Sequence, residues 1–183
     1  MTEEQYIDLK DNYIEHLTKM MSSQGEIYPH ITVFADHIDP KDSEKPAVIH
    51  MLIPPEHMES EDAKDEFVNE KLPPVFKEMK QRWKPYCISW AAEAWVRTVS
   101  KDFDMEKENW KAIPIKKEVV IISMETEDSS ETIIYNIHRE GKQGTEDGDL
   151  VDRIRLELDE DLKGVGASAG GRFTGLFRTF KNI

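Results

Sequence analysis

Cysteine is nearly absent from this chain. Cys87 is the single one in 183 residues, so an internal disulfide is excluded and a reducing compartment fits. The opening residues, MTEEQYIDLK, lack the apolar stretch of a secretory leader. No apolar run approaches the ~20 residues needed to span a bilayer, and AVIHMLIPP is of strand length only. A cytoplasmic protein with no membrane association is expected. At 183 residues with 38% hydrophobic content, the chain has the size and composition of one domain with a real core.

Base is also scarce. The chain holds 24 Lys and Arg against 37 Asp and Glu, a net charge of −13. The imbalance is uneven, because residues 162–183 carry Lys163, Arg172, Arg178 and Lys181 and no acid. The preceding body therefore stands at −17. Such a body repels phosphate backbones and anionic membranes, which argues against direct nucleic-acid binding. Two uses remain for the acidity: a solvated surface, or a decoy that occupies the basic groove of a DNA- or RNA-binding enzyme, as a small virus-encoded regulator would.

Periodicity predicts the elements. Tyr6, Leu9, Tyr13, Leu17 and Met20 recur at helical spacing, so a helix is expected over Thr2 to Met21, closed by Ser22, Ser23 and Gly25. HITVFADHI and KPAVIHMLIPP read as a hairpin with a long polar loop. Ser60 caps a helix carrying Ala63, Phe67, Leu72, Phe76, Met79 and Trp83, and Pro73-Pro74 predicts a break with a restart there. In YCISWAAEAWVRTVS, alternation places Ile88, Trp90, Ala92, Ala94 and Val96 on one face, against Ser89, Glu93, Trp95 and Arg97. EVVIISMETE and TIIYNIHRE flank Asp128 to Glu131 as a second hairpin, and LVDRIRLELDE supplies a last strand. The order α-β-β-α-β-β-β-β predicts an α+β fold: an antiparallel sheet of hairpins with helices on one face. Its boundaries are expected at 1–161 for the acidic domain and 162–183 for a Gly-rich, basic and aromatic tail.

Catalytic motifs fail on inspection. Gly166-Ala167-Ser168-Ala169-Gly170 fits the pattern of a serine-hydrolase elbow, yet no Asp, Glu or His follows Ser168 to complete a triad. The same glycines followed by Arg172 and Phe173 lack the Lys-Ser/Thr pair of a phosphate loop. The histidines His16, His30, His37, His50, His57 and His138 show no metal-ligand spacing. A hairpin centred near residue 42 sets Phe34 opposite His50 and leaves His30 on the order of 13 Å away. No metal or other cofactor is therefore expected. Cys87, in an apolar strand, reads as core filler.

Two features carry a functional reading. Glu93 lies in the apolar segment WAAEAW, where a carboxylate either faces water and pairs with an Arg of a neighbouring strand, or sits with a raised pKa as a general base or ligand contact. An exposed Trp95 beside it would mark a binding face. In the tail, Phe173, Leu176, Phe177 and Phe180 form one helical face, with Arg172, Arg178 and Lys181 around it. That face either docks on a partner or completes the protein's own core. The expectation is a non-enzymatic protein-interaction module that binds a partner protein, or associates with itself, through Arg172, Phe173, Leu176, Phe177, Arg178 and Phe180. The alternatives are the acidic decoy, and a small hydrolase or transferase that uses Glu93 with a histidine.

Overall fold

The computed structural model describes residues 1–39, 41, 45–96, 117–144, 150–159 and 175–183. Helix α1 runs from Glu3 to Gln24. Its N-terminus is a capping box in which the Thr2 hydroxyl accepts from the Gln5 amide and the Gln5 side chain accepts from the Thr2 amide. Gly25, at φ 83°, closes the other end in the left-handed conformation that a side chain would disfavour.

Six strands follow in the order β2-β1-β3-β4-β5-β6, with every described pairing antiparallel. They are β1 (His30–His37), β2 (Ala47–Leu52), β3 (Trp83–Val96), β4 (Lys117–Glu125), β5 (Ser130–Gly144) and β6 (Leu150–Leu158). Between β2 and β3 lie α2 (Glu61–Glu66), a π turn (Phe67–Lys71) and α3 (Leu72–Met79). Because β1 is antiparallel to both β2 and β3, those two strands run parallel to each other, and the bent helix crosses from one to the other past β1. The widened turn ends just before Pro73, whose ring would meet the carbonyl four residues earlier in a regular helix. The expected break at Pro73-Pro74 is therefore present as a change of helical winding. Within β3, Pro85 coincides with a register shift, where Phe34 pairs with Cys87 but Ala35 with Pro85. This bulge accommodates a residue without an amide donor.

The fold class read from the sequence, α+β on a hairpin-built antiparallel sheet, is the fold observed. The helices, however, cover both faces of the sheet. Tyr13, Leu17 and Met21 of α1 pack with Phe34, Cys87, Ala91, Ile122 and Met124. Phe67, Leu72, Phe76 and Met79 pack on the opposite face with Ile31, Val33, Ile88, Trp90 and Ala92. Consecutive residues of β1 and β3 are apolar, so neither face tolerates water and each requires its own helical layer. A last helix, α4 (Leu176–Asn182), joins the second layer through Leu176 and Phe180. The core thus extends into the segment expected to stand apart as a tail. Among the described residues, no helix is long and apolar enough to cross a membrane.

Register corrects one expectation. Phe34 pairs with Val48, and His50 lies opposite Thr32. His30 is thereby the diagonal neighbour of His50, with ring centroids 5.9 Å apart.

Candidate functional site

Strand alternation puts Glu93 and Trp95 on the face that α1 covers. Glu93 lies two residues beyond Ala91 of the α1 layer, and Trp95 two beyond that. α1 ends at Gly25, and past that end the sheet face is charged. Glu93 of β3, Glu118 of β4, Arg139 of β5 and Asp152 of β6 form a row across four strands. Arg139 organises it. Its Nε and Nη2 donate to the two carboxylate oxygens of Glu118 at 3.0 and 2.8 Å, the fork geometry that strengthens such pairs. Its Nη1 donates to the Gly25 carbonyl at 2.9 Å, placing a cation at the negative end of α1. Glu93 and Asp152 stand at 3.8 and 3.9 Å from the same guanidinium.

The two glutamates are unequal. Arg139 holds Glu118 below the ordinary carboxylate range. Glu93 receives only the longer contact to Arg139 and a 3.3 Å hydrogen bond from the Ile27 amide. Burial, followed by the adjacent Glu118, raises its pKa to about 7. Glu93 therefore holds its proton to a higher pH than an ordinary carboxylate, and the protonated form can donate toward Glu118. Of the sequence readings of Glu93, the raised pKa has its direction here, while the arginine near it comes from β5, two strands away, rather than from a neighbouring strand. Among the described residues, its hydrogen-bond and ion-pair partners include no histidine. Trp95, 60% exposed, stands at the rim of this row, paired across the ladder with Glu118. Sequence reasoning reached Glu93 and Trp95 through strand alternation. It missed Glu118, Arg139 and Asp152, because only the strand order sets them side by side.

The six expected tail residues are divided. Leu176 and Phe180 are buried in the chain's own core. Phe177, half-buried, and Arg178, exposed, border a groove of about 710 Å³ beside the β4–β5 turn. Arg172 and Phe173 lie outside the described residues, as does the Gly166–Gly171 segment. Glu125 at the end of β4 fixes the start of α4, accepting the Gly175 amide at 2.5 Å and the Phe177 amide at 2.9 Å. Burial still lifts the Glu125 pKa, although these amides favour its charged form.

A second polar assembly lies beneath α1. The His30 Nδ1–H donates to the Tyr28 carbonyl at 2.8 Å, since a carbonyl only accepts. Neutral His30 then accepts at Nε2 from the Tyr13 hydroxyl, 3.0 Å away. The Tyr13 oxygen in turn accepts from Thr32 at 3.1 Å, and Thr32 accepts from His50 Nδ1–H at 2.9 Å. One fixed carbonyl thus orients the whole chain of donors. His16 of α1 stacks on His50 with centroids 5.0 Å apart. Among the described residues, no group of three or more His, Cys, Asp or Glu is placed to hold a metal. Cys87 is fully buried and its thiol is pushed up to about 12, which removes the thiolate needed for nucleophilic chemistry. Comparison with protein-family models, curated proteins and solved structures finds no match to this chain.

Proposed function

We propose that this chain is a protein-interaction module and that the open end of its sheet, centred on Trp95, receives a cationic side chain from a basic partner. One observation carries the reading: a tryptophan 60% exposed at the rim of the molecule's charged row. Large aromatics left in water at a rim of charge are typical of binding anchors. An indole face supplies cation–π attraction, and the acids of the row beside it add electrostatic attraction for guanidinium or ammonium. The net charge of −13 adds long-range steering of basic surfaces.

Binding is favoured over catalysis because Glu93 is already engaged by Ile27 and Glu118 and has no histidine partner among the described residues. The row is also a poor copy of a phosphate backbone, since the cation Arg139 stands within it. The tail is the weaker candidate anchor, because Leu176 and Phe180 are enclosed by the chain's own core.

The test is titration with oligo-arginine, followed by calorimetry. Oligo-arginine is expected to bind the wild-type protein, and oligo-glutamate is not. Trp95→Ala should weaken binding about 5- to 30-fold, equivalent to the ~1–2 kcal/mol of a partly desolvated cation–π contact. Binding should also fall with salt. Equal affinity of wild type and Trp95→Ala would sink the assignment of Trp95.

A further inference from the structure

The sheet has two edges, and they are built differently. At one end, β6 carries Asp152, Arg153, Arg155 and Glu157 within nine residues. Arg153 and Arg155 pair with Glu140, and Arg155 also pairs with Glu157, so this edge presents a lattice of charge. Charged side chains on an edge strand obstruct pairing with another strand. At the other end, β2 reads Ala47-Val48-Ile49-His50-Met51-Leu52 and holds no acid, lysine, arginine or proline. In a chain that is 33% charged, this edge lacks the usual protection. Val48 and Leu52 are 52% and 65% exposed, so their side chains are uncovered. β2 pairs with β1 on its inner side, and no described residue pairs with its outer side.

We propose that β2 pairs with β2 of a second copy, antiparallel about a two-fold axis, to make one continuous twelve-stranded sheet. Symmetry restricts the register. Residues directly opposite in an antiparallel pair share a face, so even positions of β2 meet even positions of its twin. The register centred on His50 sets Val48 against Leu52 on the α1 face and Ile49 against Met51 on the other. Every exposed apolar side chain of the strand then gains an apolar partner. Beyond Leu52 the apolar surface continues through Tyr28, Pro54 and Met58, which line a groove of about 530 Å³. A second copy suits this edge better than an arbitrary extended peptide, because β2 is complementary to itself in side chains: one register pairs Val48 with Leu52 and Ile49 with Met51.

Sedimentation equilibrium of the intact chain over a wide concentration range tests the pairing. A concentration-dependent dimer is expected. At concentrations where the wild-type chain is monomeric, Val48→Lys and Leu52→Lys should each leave the thermal midpoint unchanged, since both sites are exposed, and each should weaken dimerisation. A two-fold interface contains every substitution twice, so a loss of about 10-fold or more is expected for each. Val75→Lys, at an exposed apolar position of α3, serves as the control and should dimerise normally. A synthetic KPAVIHMLIP peptide, copying residues 45–54, should compete with the dimer. A chain monomeric at every concentration overturns the proposal, as does a dimer indifferent to Val48→Lys and Leu52→Lys. A monomer that binds the peptide and never a second copy also overturns it, and assigns the edge to extended segments of other proteins.

Discussion

Phe180→Ala is expected to lower the free energy of unfolding by about 3–5 kcal/mol, the cost of truncating a buried aromatic. Phe180 is 5% exposed, and its ring centroid lies 5.0 Å from that of Phe76, which is fully buried. Lys80 spans the site, its ammonium 5.4 Å from the Phe180 ring centroid and donating to the Lys181 carbonyl. With Leu176, 1% exposed, this residue closes the layer formed by α2 and α3. For a chain of this length, the loss corresponds to a fall in Tm of roughly 10 °C. Arg178→Ala, at an exposed site, should change stability by less than about 0.5 kcal/mol. Urea unfolding of the two variants reads the difference directly. A stable Phe180→Ala protein would mean that α4 is a separable arm, and would return the docking role to the tail.

The pattern that made the tail ambiguous is physical. Apolar residues at i, i+3, i+4 and i+7 describe a helix with one apolar face, whether the receiving groove belongs to its own chain or to another. Only Phe76 and the Glu125 carboxylate, distant in sequence, show that the groove is internal. The alternation in β3 was readable because both faces of that strand obey it, and it placed Glu93 and Trp95 together. Whether Trp95 is covered depends instead on how far α1 reaches over the sheet. The β1–β2 register was misplaced by two residues for a related reason. A slip of two keeps every side chain on its proper face, so the hydrophobic pattern is blind to it, and a long loop does not fix it as a tight turn does. That slip decides whether His30 and His50 are strangers or neighbours. The two-sided helical cover follows from the crossover between β2 and β3, which no local pattern encodes.

Those neighbours set the second large expectation, a pH dependence with two opposing parts. His30 is 1% exposed and hydrogen-bonded in its neutral form, and burial lowers its pKa. Burial, together with His16 and His30, lowers that of His50. A folded state that binds fewer protons than the unfolded chain gains stability as pH rises. The histidine contribution is therefore complete above about pH 6.5 and lost as pH falls through the depressed folded values. Glu93 acts in the opposite sense. Its pKa is raised from 4.5 to about 7, so its contribution is complete below 4.5 and lost as pH rises through about 7. Glu93→Gln removes this second part and leaves the first. The stability of Glu93→Gln protein, measured by urea unfolding from pH 5 to 7.5, should rise more steeply with pH than that of wild type. Glu125, also raised, contributes equally to both proteins and cancels from the comparison. Tyr13→Phe strikes the histidine part from inside, because it strands His30 Nε2 and the Thr32 hydroxyl without their shared partner. Its expected cost is about 1–3 kcal/mol at pH 7, the usual penalty for buried polar groups left unpaired. Parallel profiles for wild type and Glu93→Gln would show that Glu93 ionises normally in the folded protein.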